Sequence, residues 1–158
     1  MTLPGSVACV RRSLSSVAAL ALLAGCGGDG GRMSSEEFRS EANAICAETE
    51  RELRALPPPE DSARGVAAYA ERAVPILDDR LERLRELKPP ESEETPFEAL
   101  LEEAQNERDA LRDLREAAAA SDAEAAAAAA SRGRVATVRV NVLAVRLEVR
   151  ECVRRPAA

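Results

Sequence analysis

The sequence predicts an all-α protein: an antiparallel bundle of about four helices, set behind a signal peptide and a flexible tether. Three observations carry this reading. Ala, Leu, Glu and Arg dominate the chain, and these residues have the best intrinsic helix propensities. Apolar residues recur at three- and four-residue spacing through most of the chain after residue 34, which is the period of one helix face. Proline clusters and Ser/Thr-x-x-Glu pairs stand where helices would stop and start. Aromatic residues are few, with Phe38, Tyr69 and Phe97 the full set and no Trp. The core must therefore be built from Leu, Val and Ala, and stacked-ring platforms for sugars or nucleobases are not expected.

The first 25 residues read as an address. Arg11 and Arg12 form a positive start, and Leu14 to Ala24 is a short apolar run. That run is about half of the roughly 20 residues a permanent membrane helix needs. A charged start, a short apolar middle and small residues at the end describe a signal peptide. Leu23-Ala24-Gly25-Cys26 closes it. This tetrapeptide resembles the lipobox of bacterial lipoproteins, Leu-(Ala/Ser)-(Gly/Ala)-Cys, at all four positions. The resemblance implies that the Cys26 thiol receives a diacylglyceryl group and becomes the first residue of the mature chain. Each buried CH₂ contributes about 0.8 kcal/mol, so two acyl chains anchor where one binds only marginally. The alternative is an ordinary secreted protein with a chance cysteine after its cleavage site. Arg11-Arg12 also fits, in part, a twin-arginine export signal.

Cleavage before Cys26 leaves 133 residues, the size of one small domain. The whole chain carries a net charge of −6; the leader has two arginines and no acid, so the mature chain carries −8. Such an acidic domain is a poor partner for nucleic acid or for broad contact with an anionic membrane surface. Gly27 to Gly31 makes residues 26–33 a flexible tether. The bundle is expected over 34–153, with a short tail at 154–158.

Helix 1 is expected to start at Ser34 or Ser35, because Ser34 and Glu37 have capping-box spacing. Phe38, Ala42, Ile45, Thr49, Leu53 and Leu56 form its stripe, and Pro57-Pro58-Pro59 ends it. Helix 2 is expected from about Asp61 to Leu87, with Val66, Ala70, Ala73, Leu77, Leu81, Leu84 and Leu87 inward. Pro75 within it predicts a kink. Pro89-Pro90 repeats the stop signal of helix 1. Helix 3 is expected to open at Thr95-Pro96-Phe97-Glu98, a second capping box with proline in the first turn. Phe97, Leu100, Leu101, Ala104, Leu111, Leu114 and Ala118 make its apolar face. Ser121 and Glu124 have the spacing of a third capping box, which predicts a tight turn there; one unbroken Ala-rich helix is the alternative. Helix 4 is expected from Asp122 to about Cys152. Its seam is Val135, Val138, Val142, Val145, Val149 and Cys152, with Gly133 a point of bending or breakage.

Cys9 leaves with the leader, so Cys46 and Cys152 remain once lipid has taken Cys26. Outside the cytoplasm disulfides persist, and only one pairing is open to them; two separate buried thiols are the alternative. The pairing poses a problem of length. In a regular bundle Cys46 would lie ~15 Å from the common end and Cys152 ~45 Å, at 1.5 Å per residue. An overhanging Ala-rich hairpin with some bending at Gly133 is the expected solution.

Nothing in the sequence points to catalysis, a cofactor or a metal. The chain has no His, which removes Ser-His and Cys-His pairs and histidine metal sites. Asp78-Asp79, Glu93-Glu94 and Glu102-Glu103 are adjacent on helices, point apart, and do not converge on one ligand. Asp79 with Arg83 and Glu50 with Arg54 read as surface pairs. Arg108 falls near the seam of helix 3 and reads as a snorkelling side chain. Tyr69, close to the helix 2 stripe, reads as core. The mature part resembles small secreted or lipid-anchored bacterial helical proteins of uncharacterised function, on Ile45-Cys46, Leu87-Lys88-Pro89-Pro90, the Ala-rich turn from Ala117 to Glu124, and Cys152. That likeness implies no activity and supports the disulfide. The expected function is binding of another cell-envelope component by a protein held on the extracytoplasmic face of the membrane through lipid on Cys26. The alternative is a small-ligand-binding lipoprotein with a pocket between helices near Pro75. A convergent polar pocket would favour the second, an exposed apolar patch the first.

Overall fold

In the computed structural model residues 31–154 are described. They form four α-helices, α1 (Ser35–Ala55), α2 (Ala63–Glu86), α3 (Glu91–Ala119) and α4 (Ala123–Arg146), followed by a 3₁₀ turn at Arg150–Cys152. No strand occurs among the described residues. Successive helices are joined by short turns and pack as antiparallel neighbours, with α3 between α2 and α4.

The start of α1 is the capping box its sequence spells. The Glu37 backbone N–H donates to Ser34 Oγ at 3.3 Å, and the Ser34 backbone N–H donates to Glu37 Oε2 at 2.9 Å. The Ser34 N–H and then its hydroxyl hold the Glu37 carboxyl below its ordinary value. The tether's last residues are fixed as well: Met33 N–H donates to the Lys88 carbonyl at 2.8 Å, and Arg32 pairs with Glu94 at 2.8 Å. At the other end Leu56 leaves helical geometry with ψ 139°, and Leu87 does the same at the end of α2 with ψ 140°. The two proline stops act alike.

α2 begins two residues later than expected, at Ala63, because Ser62 is the cap; its hydroxyl accepts from the Gly65 N–H at 3.0 Å. Glycine is needed at 65. A Cβ there would lie 2.7 Å from the Glu60 carbonyl oxygen. The helix continues through Pro75, which is exposed, as is Glu71, whose carbonyl loses its partner. On this exposed face the carbonyl is open to solvent, so the helix tolerates the proline.

α3 corrects the expected start at Thr95. It opens four residues earlier, at Glu91, and Thr95 caps nothing. Glu91, Glu93 and Glu94 place carboxylates in the first turn, where the helix dipole favours negative charge. Arg39 reaches Glu93 from α1 at 3.1 Å. The turn to α4 is as tight as expected, but its chemistry differs. Ser121 takes the left-handed φ of 57°, with Asp122 N–H donating to the Ala117 carbonyl, and Asp122 rather than Ser121 caps α4 through Ala125 N–H at 3.0 Å.

α4 overturns two expectations. It is unbroken through Gly133, and it ends at Arg146 rather than near Cys152. Glu148 adopts a φ of 59° and the Val149 N–H donates to the Ala144 carbonyl, so the chain reverses. Leu147 to Arg154 then runs back between α1 and α4, touching both. Asn141 fastens this return segment by accepting from the Arg154 N–H at 2.7 Å and donating to its carbonyl at 3.0 Å. The length problem of the cysteines disappears: Cys152 reaches Cys46 on the way back, and the two are joined by a disulfide with Cα atoms 5.0 Å apart. The main core surrounds this bridge. It gathers Phe38, Ala42 and Ile45 of α1, Leu84 of α2, Phe97 and Leu100 of α3, and Ala144, Leu147 and Val149. Phe38 and Phe97 meet edge to face with centroids 4.9 Å apart.

The valine seam of α4 is also turned the other way. Val135, Val138, Val142 and Val145 are between 50% and 64% exposed, while Ala129, Ala136, Val140 and Ala144 are buried against α3. Polar partners on both sides of the alanine face set this rotation. Thr137 donates to Glu107 at 2.9 Å, and Arg132 and Arg139 reach Asp113 and Glu103 of α3 at 2.7 and 2.9 Å. Gly133 lies on the packed side, where a Cβ would meet the Ala110 Cβ at an ordinary 3.5 Å. Gly133→Ala is therefore expected to stabilise the fold by about 0.5–1 kcal/mol through helix propensity alone. Urea titration followed by helical circular dichroism checks it, and a loss of stability would contradict it.

Candidate functional site

Two features stand out from the packed helices. The first is a charged cluster inside the bundle. Arg80 sits on the core face of α2 with its side chain only 3% exposed. Its Nη2 donates to Glu107 Oε2 on α3 at 3.0 Å, and Thr137 of α4 donates to Glu107 Oε1. Arg154 of the return segment comes within 3.6 Å of Glu107 and 3.7 Å of Glu50 on α1. All four helices and the return segment thus contribute to one polar network. Burial works to raise the Glu107 carboxyl, but Arg154, Arg80 and Thr137 together outweigh it and hold it below its ordinary value. Burial draws the Arg80 guanidinium down, as does the neighbouring charge of Arg154, and Glu107 opposes both.

Glu107, Thr137 and Arg154 of this network line a cleft of about 310 Å³. Leu53 of α1, Tyr69 and Leu77 of α2, and Leu111 and Leu114 of α3 supply apolar walls. Glu107, Thr137, Arg134 and Arg154 supply the polar side. Tyr69 is thus a half-buried cleft residue rather than the core residue its spacing predicts. Tyr69 and Leu77 flank Pro75, the neighbourhood expected for a pocket.

The second feature is the outward face of α4. The exposed valines step by three, four and three residues, so they form one stripe. Arg132, Arg139 and Arg146 border one edge and Arg134 the other, giving a basic border on a net acidic chain.

The remaining predicted residues fall as follows. Cys46 and Cys152 are brought together, and Cys26 lies outside the described residues. Five of the six adjacent acids are taken by separate arginines: Asp78 by Arg108, Asp79 by Arg83, Glu93 by Arg39, Glu94 by Arg32 and Glu103 by Arg139; Glu102 is exposed and in no ion pair with a described residue. Arg108, mostly buried, is an ion-pair partner of Asp78 and Asp109 and does not snorkel. The surface pair Glu50–Arg54 forms at 3.0 Å. Arg80 and Glu107 were not singled out by periodicity, although both fall on seam positions, three residues after Leu77 and Ala104. A charge in a seam gap was the available signal. Among the described residues no group of three or more Cys, Asp or Glu side chains is placed to hold a metal, and no helix is long and apolar enough to cross a membrane. No known protein family matches the chain, and no curated protein or solved structure is similar to it.

Proposed function

We propose that this chain is a lipid-anchored protein of the extracytoplasmic face that binds another envelope protein through α4. One observation carries the reading: four valines in a helical stripe stay 50–64% exposed on a helix whose opposite face is fully packed. Contiguous exposed apolar surface of this kind marks interaction sites. The partner it fits is an amphipathic helix with carboxylates bordering its apolar face. Arg134 and Arg146 are in no ion pair with a described residue and are free to meet them. A second copy is a poor occupant, since pairing α4 with α4 places arginine against arginine. A bilayer is a poor one too, because the face lacks the Trp, Phe or Leu that anchor interfacial helices. The lipid on Cys26, inferred from Leu23-Ala24-Gly25-Cys26, would hold the domain near such a partner.

A photo-crosslinking residue placed at Val138 in intact cells tests this. A single heteromeric adduct is expected, with none from the exposed Glu52 on α1. Val142→Asp is expected to weaken the interaction at least about tenfold, since one buried valine contributes roughly 1.5 kcal/mol. Adducts with a second copy, with lipid only, or equally from both positions would refute it. The anchor is checked by the mass of the mature chain, which should begin at Cys26 and carry covalent diacylglycerol. A mass without lipid removes that part of the proposal.

A further inference from the structure

The cleft shares Arg134 with the border of the valine stripe but none of its valines, and its chemistry is more specific. Its walls are apolar, its volume of about 310 Å³ lies at the small end of ligand pockets, and its polar groups are concentrated on one side. The hydrogen-bonding capacity left on that side is unequal. Both oxygens of Glu107 already accept, one from Arg80 and one from Thr137. Donors remain over. The Arg154 Nε is shielded from solvent and has no hydrogen-bond acceptor; Glu107 is its nearest carboxylate, at 3.6 Å. Arg134 lines the same cleft and is in no ion pair with a described residue. The charges that line the cleft sum the same way, with Arg134 and Arg154 against Glu107, one cation in excess. A buried donor without an acceptor is costly, and a guanidinium is best satisfied by an oxyanion.

We propose that this cleft binds a small amphiphile with one anionic oxyacid head and a short apolar body, such as a medium-chain carboxylate. The head lies between Arg134 and Arg154, and the body lies along Tyr69, Leu77, Leu111 and Leu114. The volume admits one short chain and excludes a whole phospholipid. Gly133, on the cleft wall, leaves space that a side chain would fill.

Isothermal titration of the full mature chain with octanoate tests this, using Cys26→Ser to leave off the lipid so that no detergent competes. Saturable one-to-one binding is expected, and octanol and octylammonium should bind at least about tenfold more weakly. Arg134→Gln should weaken octanoate by a similar factor. Gly133→Leu, or Ala130→Phe if the first variant melts early, should abolish binding while Val142→Asp leaves it intact. Absence of octanoate binding, equal binding of octanol, or affinity indifferent to both Arg134→Gln and a cleft-filling variant would overturn the proposal.

Discussion

Cys46→Ala with Cys152→Ala is expected to lower the unfolding free energy by about 4–5 kcal/mol in the chain-entropy model, because the bridge closes a loop of roughly a hundred residues. The sequence separation is 106 residues, and the bridge is the one covalent tie between α1 and the return segment. Alanine is the substitution of choice because serine would bury two hydroxyls beside Ile45 and Val149. For a domain of this size the midpoint of thermal unfolding should fall by on the order of 15 °C. Paired urea titrations measure the difference. Hydrogen exchange should rise first over residues 147–154, where Asn141, Asn43, the ion pairs of Glu148 and Arg154 and the core side chains then hold the segment without a covalent tie. A change below about 1 kcal/mol would mean that packing alone fixes the return segment.

Glu107→Ala should be nearly as damaging, and more so than Arg80→Met. Removing the carboxylate leaves Arg80, with a side chain 3% exposed, without its hydrogen-bonded partner. Breaking a buried pair in this way costs roughly 3–5 kcal/mol. Removing Arg80 costs less, since Glu107 keeps Thr137 and the charge of Arg154. The order of the two variants in urea titration is the test; equal effects would show that the network does not discriminate its members. The network also makes stability depend on pH. The folded-state value of Glu107 lies below the ordinary 4.5. Its contribution is therefore complete above that value and is lost as pH falls through the lower folded-state value, where the folded carboxylate must also take up a proton. Glu107→Gln should flatten the acid limb of the stability curve.

Much of the fold was legible because it is specified locally. Ser34 and Glu37 announce α1, and Pro57 and Pro89 end two helices; each signal needs only its neighbours. The Cys46–Cys152 pair was legible by elimination. The rotation of α4 was not. Its valine stripe and its alanine stripe have the same helical period, so periodicity cannot choose between them. The choice lies in Thr137, Arg132 and Arg139 reaching residues of α3 about twenty to thirty-six positions earlier in the chain. The end of α4 was hidden as well, since Glu148 takes a left-handed conformation usually marked by glycine. The cleft could not be read from any one stretch, because its walls run from Leu53 to Arg154.

The return segment also fixes an order of events. As the chain is made from its first residue onward, α2, α3 and α4 can pair with their sequence neighbours as each appears. The face of α1 carrying Phe38, Ala42 and Ile45 gains Leu84, Phe97 and Leu100 early, but Leu147, Val149 and Cys152 only about a hundred residues after it. Closing so long a loop is entropically slow. Until residue 152 has been made, Cys46 lacks the partner it has in the folded domain and the core stands open on one side. Completion of the core is thus gated by the last-made part of the domain.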